Sequence, residues 1–106
     1  MTSKSEVTIR GTEDSRQLPA KWDTGADRTA IDCRIAAAVG AGPVILSVKT
    51  HQSSGVERRP VVPIWVEVDG QVERLKVGLS DREEMSTDVL LGQDIIETLE
   101  DRSLTP

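Results

Sequence analysis

Asp23, Thr24, Gly25, Ala26 and Asp27 follow Trp22 without a break, and a further threonine stands at Thr29. A carboxylate placed after an apolar residue and next to a glycine can be held at the mouth of a strand, open to a ligand. The same residues also suit a plain turn. An aspartate side chain bonds its own backbone two residues on, and glycine accepts the bend. Asp23 is therefore either a reactive group or the first residue of a turn. The triplet Asp-Thr-Gly alone does not decide, because so short a match recurs by chance.

The remaining chemistry-bearing residues are sparse. His51 is the single histidine and Cys33 the single cysteine. Zinc catalysis takes about three protein ligands of the His, Glu or Cys type, and no His-Glu-x-x-His is present; no metal is expected. Cys33 has no obvious histidine beside it to activate a thiolate and reads as a small strand hydrophobe. The acidic run Ser80–Met85 lacks the spaced oxygens and turn glycine of a calcium loop. No glycine-rich loop could cradle a phosphate, so no cofactor is expected. Trp65 reads as packing, and Arg59 and Arg82 read equally well as structural ion pairs or as functional cations.

The elements around these residues are mostly strands. Glu6–Arg10 alternates Val7 and Ile9 before Gly11, and Leu18–Trp22 runs into the Asp-Thr-Gly turn. Thr29–Cys33 is β-branched enough for another strand. Arg34–Val39 is ambiguous: its alanines favour helix, yet the following Gly-Ala-Gly-Pro limits it to about one turn. Val44–Lys49 is a strand, Thr50–Gly55 a polar turn. The long stretch from Val56 to Val68 puts Val62, Ile64, Val66 and Val68 on one face, while Pro60 and Pro63 push its first half to a sheet edge. Asp69-Gly70 is the strongest hairpin signal, with Gln71–Leu79 as the return strand. Asp88–Gly92 is a buried strand closed by glycine. Gln93–Glu100 carries Ile95, Ile96 and Leu99 as the stripe of a short helix.

With 106 residues the chain is one domain over 1–106, with 1–5 and 101–106 as loose tails. At 37% hydrophobic and 29% charged residues it is globular, and with two tryptophans as its only aromatics the core must be aliphatic. So lean a core favours association with a second copy. A net charge of −5 argues against a nucleic-acid surface, and Arg58-Arg59 is too short to make one. A lone cysteine excludes an internal disulfide and fits a reducing compartment. No apolar run approaches the roughly 18 residues of a membrane helix, and the first residues lack a signal-peptide core. The expected location is cytoplasmic.

Two further features make the triplet more specific. It extends to Asp-Thr-Gly-Ala-Asp with Thr29 behind it, and Asp88–Ile96 reads downstream as apolar strand, glycine, helix. Together they resemble the retropepsin-like aspartic proteases across Leu18 to Leu99. The middle resembles more narrowly the bacterial and archaeal branch labelled putative ATP-dependent zinc proteases. It does so through Arg59-Pro60-Val61-Val62, Asp81-Arg82, Met85 and Leu90-Leu91-Gly92. Neither the zinc nor the ATP of that label finds its residues here.

The resemblance implies an all-β fold, a small closed barrel-like retropepsin half with one short C-terminal helix. It implies an aspartic peptidase acting on a peptide or protein substrate. Such chemistry takes two carboxylates sharing one proton, and this chain supplies one. A homodimer would bring both Asp23 residues to its twofold axis. In that reading Thr24 locks the two loops and Gly25 lets the substrate backbone approach. Ala26 keeps the wall low, and Asp27 receives substrate amides. Lys49–Glu57 becomes a flap, with His51, Ser53, Ser54 and Gly55 at its tip. The family's arginine after the late glycine, which braces the active-site loop, is here Gln93. Arg28, Arg59 or Arg82 would have to replace it. Neighbours of that branch add glutamates to protein tails, which suggests trimming of glutamate-tailed proteins. A non-catalytic dimeric peptide-binding module on the same fold is the alternative, and a metal-dependent hydrolase a third.

Overall fold

The computed structural model describes residues 4–52 and 55–104. In chain order it contains β1 (Lys4–Arg10), β2 (Ser15–Trp22), β3 (Ala30–Asp32), α1 (Cys33–Val39), β4 (Leu46–Gln52), β5 (Gly55–Val68), β6 (Gln71–Ser80), β7 (Val89–Leu91) and α2 (Gln93–Leu104). The strands lie in the order β1-β2-β7-β3-β6-β5-β4, and β1 also pairs with β5. That extra pairing closes six strands into a barrel and leaves β4 outside it as the arm of a hairpin. The expected mostly-β barrel with a C-terminal helix is what the chain forms.

β5 makes this closure possible because it is long enough to serve two neighbours in turn. Its first part pairs with β4 up to Val61, and Trp65 to Glu67 pair with β1. On its other side it pairs with β6 from Val61 to Val68. Its second half is therefore interior, while Gly55–Pro60 pairs with β4 alone and keeps one side open, as expected of a first half at a sheet edge. Pro60 precedes the first residue paired with β6, and Pro63 falls between the stretches paired with β4 and β1. Each proline stands where one neighbouring strand is missing, so the absent N–H costs little.

Alternation fills the barrel. Val62, Ile64, Val66 and Val68 are all buried, as are Val7, Ile9, Ile31, Val77, Val89, Leu91 and Ile95. Each such side chain contributes roughly 1.5–3 kcal/mol when fully buried. The β5–β6 turn is Asp69-Gly70, with φ of 51° and 76°. Two successive left-handed residues match the twist of a two-residue hairpin, and glycine adopts the second without strain.

Several boundaries differ from the sequence-based expectation. β1 begins at Lys4, and α2 runs to Leu104, so regular structure reaches into both expected tails. Ser15 to Gln17 join β2 because β1 folds back on them in register, Arg10 opposite Ser15. Arg34–Val39 is helical for nearly two turns, with Cys33 as its first residue. Cys33 is thus an exposed helix residue, not a strand hydrophobe. The helix forms because it is capped at both ends: Asp32 accepts from the Arg34 amide, and Gly40 closes it at φ 72°. No helix among the described residues is long and apolar enough to cross a membrane.

Asp32 also ties α1 to the loop after β6. Its buried carboxylate accepts from the Arg82 amide at 2.7 Å, from Arg34 Nη2 at 2.7 Å and from Arg34 Nε at 3.0 Å. Burial opposes its ionisation, but the amides of Arg82 and Arg34 and the Arg34 guanidinium outweigh it and hold the carboxyl below its ordinary value. A depressed folded value means that the stabilisation is complete above the unfolded value, about 3.9, and is lost as pH falls through the folded one. Asp32→Asn should cost about 2 kcal/mol at pH 7. Urea unfolding at pH 7 and pH 3 would check this: the gap between wild type and variant should narrow at the lower pH.

Candidate active site

Asp23 is the first residue beyond β2, and its loop runs to Thr29 before β3 begins. The placement follows from β7. This strand threads between the two, parallel to β2 with Trp22 opposite Leu91, and antiparallel to β3 with Ala30 opposite Leu90. The loop must therefore pass around the C-terminal end of β7. It is fastened there by backbone bonds: Asp23 N to Leu91 O at 2.9 Å, Gln93 N to Ala26 O at 2.8 Å and Asp94 N to Asp27 O at 3.2 Å.

Side chains complete the fastening. Thr29 is buried, and its Oγ1 donates to Asp94 Oδ1 at 2.7 Å and accepts from Gly92 N at 3.1 Å. The Asp94 carboxylate also receives the Thr29 amide. Gln93 Nε2 donates to Thr24 O at 2.8 Å. Gly92 lies against the loop so closely that a Cβ there would stand 2.7 Å from Arg28 C and 2.9 Å from Ala26 O. Any side chain at that position would force backbone apart.

Within the loop, Asp23 Oδ1 accepts from Gly25 N at 2.9 Å. This bond is the turn that the sequence allowed, and it orients the carboxylate. Oδ2 makes no hydrogen bond among the described residues. Asp23 is half-buried, while Thr24, Gly25 and Asp27 are exposed and Ala26 is half-buried. Beside Thr24 an apolar cleft of about 290 Å³ is lined by Trp22, Ile96, Leu99 and Glu100.

The anticipated replacement for the missing arginine is not needed at Thr24, because Gln93 itself reaches the loop. None of the three candidate arginines makes an ion pair with Asp27 among the described residues. Arg28 Nη1 donates to Lys76 O, and Arg82 Nε to Thr87 O. Arg82 is nevertheless electrostatically coupled to the site. Burial pushes its guanidinium below the ordinary value, and Arg59 adds to this; the carboxylates of Asp88, Asp32 and Asp23 pull the other way. Arg82 stays a cation throughout the accessible pH range, a buried positive charge behind Asp23. Asp81, by contrast, is exposed; the Glu83 amide and the Arg34 guanidinium lower its carboxyl.

The stretch expected as a flap forms the end of the β4–β5 hairpin. Its last pairs are His51 with Val56 and Gln52 with Gly55. His51 and Gly55 are exposed, and Ser53 and Ser54 lie outside the described residues. The hairpin meets the Asp23 loop through its stem. Val48, Thr50 and Arg59 line one cavity together with Arg28, Thr29 and Ala30. Among the described residues no three His, Cys, Asp or Glu side chains come together as a metal site. A separate cavity of about 200 Å³ beside Trp65 and Arg74 contains no carboxylate.

Sequence reasoning passed over Asp94 and underrated Gln93. The signal was present, since both follow the glycine that ends an apolar strand, where a helix begins and backbone amides need acceptors. What hid their role was the distance along the chain, 65 residues between Thr29 and Asp94.

Comparison with solved structures places this architecture. The EIAV protease in complex with the inhibitor HBY-793 superposes with a TM-score of 0.70 at 18% identity, covering 94% of this chain and 89% of that one. The simian foamy virus protease gives 0.68 at 21% identity, covering 97% and 98%. The chain has the retropepsin fold. A Legionella pneumophila protein of unknown function shares it at a TM-score of 0.61 and 19% identity, covering 92% and 86%. No family model and no curated protein matches the sequence.

The two fastenings of the loop should differ in weight. Gly92→Ala must displace backbone and should lose about 1–3 kcal/mol of stability. Gln93→Ala removes one exposed bond and should lose less than about 1 kcal/mol. Parallel denaturant titrations would test the order; equal losses would show that Gly92 has room to spare.

Proposed function

We propose that the chain is an aspartic peptidase, completed when two copies place their Asp23 carboxylates together. The observation that carries this reading is the fixed loop: Asp23 sits at the end of β2 with one oxygen turned by Gly25 and the other unengaged among the described residues. One carboxylate of such a pair takes a proton from water as it attacks, while the other, protonated, polarises the scissile carbonyl. Like charges so close cannot both ionise, so the pair holds one proton and titrates as a unit.

One copy supplies one carboxylate, so a second is required. Thr24 and the apolar cleft of Trp22, Ile96 and Leu99 lie next to Asp23 and are offered as the surface that the second copy covers. Covering it would add apolar burial to a small aliphatic core. Asp27 is exposed beside the loop, available to substrate amides, and the β4–β5 hairpin stands over the loop as a flap. The resemblance to the bacterial and archaeal branch adds a substrate, proteins carrying glutamate tails. A glutamate-tailed peptide left whole by enzyme that cuts other peptides would remove that addition.

A second reading rests on the Gly25–Asp23 bond, which by itself accounts for Asp23 as a turn residue. In it the cleft binds peptide without cutting. Asp23→Asn separates the two, since a binder keeps its ligand and an enzyme loses turnover.

Peptide-library digestion read by mass spectrometry should show cleavage that disappears in Asp23→Asn and survives a chelator. Its rate should follow a bell-shaped profile with an optimum below neutrality, and a rate still rising through about pH 9 would exclude a shared proton. In sedimentation, Ile96→Glu should shift the protein toward monomer and lose cleavage in parallel.

A further inference from the structure

The cavity between the hairpin stem and the start of β3 has a chemical character of its own. It measures about 100 Å³ and is walled by Val48, Val61, Ala30 and Gly78, with Arg28 and Arg59 as its charged residues. No acidic residue lines it. Arg59 Nε is buried and has no hydrogen-bond partner. Neither arginine belongs to an ion pair among the described residues.

Each arginine is held in place by its surroundings. Arg28 continues the Asp23 loop, and its Nη1 is fixed on Lys76 O at 3.1 Å. Its stem passes Gly78, where a Cβ would stand 3.9 Å from Arg28 Cδ, in ordinary contact. Arg59 is paired in β5 opposite Val48 of β4. It also feels Arg82, whose guanidinium it pushes down in the same direction as burial does. Two cations at one small cavity, a third within electrostatic reach of Arg59 and a buried donor without an acceptor make a site that lacks an anion.

We propose that this cavity is the subsite for an acidic side chain, glutamate or aspartate, of the peptide substrate. The proposal rests on the peptidase reading, in which this cavity, at the end of the Asp23 loop beside Thr29 and Ala30, forms part of the substrate cleft. The apolar walls take the methylene stem, and the carboxylate meets the unpartnered Nε of Arg59, with Arg28, which also lines a neighbouring cavity with Asp27 and Asp94, as a second cation at the wall. A partly desolvated guanidinium favours a carboxylate over its neutral amide isostere, because the amide leaves the cation unneutralised and presents a wrong donor. The overall charge of −5 does not oppose this, since short-range pairing in a cleft outweighs the screened field of distant surface charges.

The test compares peptide pairs that differ by Glu against Gln at each position around the cut, at pH 6, where a free glutamate is ionised. One position should show a Glu:Gln ratio in kcat/KM of about 10- to 100-fold. In both Arg59→Gln and Arg28→Gln that ratio should fall toward unity, in Arg59→Lys it should partly survive, and in Arg59→Glu it should invert in favour of the Gln peptide. Thermal melts report whether each variant is folded, and the wild-type ratio stands without any variant. Cleavage by wild type with no acidic preference at any position would overturn the subsite and leave the peptidase reading intact. If no peptide is cut, the peptidase reading fails. Fluorescence anisotropy with the same Glu and Gln peptides then decides the subsite: tighter binding of the Glu peptide supports it, and equal binding overturns it.

Discussion

The geometry of the site depends on one topological constraint, the passage of β7 between β2 and β3. A strand that is parallel to one neighbour and antiparallel to the other forces the β2–β3 connection around its end. Without that passage the Asp23 loop would be an exposed turn free to sample many shapes. With it, backbone amides of Gln93 and Asp94 find their acceptors on the loop itself. The first turn of α2 and the Asp23 loop thereby satisfy each other's polar groups, which is why neither needs a long side chain from elsewhere.

This arrangement explains how a glutamine can follow the late glycine. A guanidinium would offer several donors to the loop; Gln93 offers an amide to Thr24 O, and Asp94 takes up Thr29 on the other side. The brace is divided between two short side chains. Arg28 and Arg59 line the cavity between the β4–β5 stem and the start of β3, and Arg82 is a buried cation that feels Asp88, Asp32 and Asp23.

The barrel bears the cost of being small. Its interior is valine, isoleucine and leucine, with Trp22 and Trp65 both leaving surface exposed. Aliphatic β-branched residues pack well on a pleated sheet and lose little rotamer freedom there. They do not fill the space an aromatic would, and apolar surface remains beside Thr24 at Trp22, Ile96 and Leu99. Fold and proposed chemistry point the same way, since the second copy that would cover this surface is also the one that would supply the second carboxylate.

The amino-acid sequence by itself determined the local facts. Alternation in Val62–Val68 set a buried strand face, Asp69-Gly70 set a hairpin, and Asp-Thr-Gly after Trp22 set where the half-buried carboxylate of Asp23 falls. These depend on period and φ preference, which are written residue by residue. Only the tertiary structure decided which strands are neighbours, and the rest follows from that. Pro60 is tolerated because β6 joins β5 only from Val61, and Pro63 because it falls between the stretches paired with β4 and β1. Cys33 lies on a helix because Asp32 and Gly40 cap it. Asp94, Gln93 and Gly92 matter because β7 carries them to a loop that precedes them by more than sixty residues. Arg28 and Arg59 meet only when the hairpin stem closes over the start of β3. Contacts between residues so far apart depend on the whole sheet being assembled, and no local pattern encodes them.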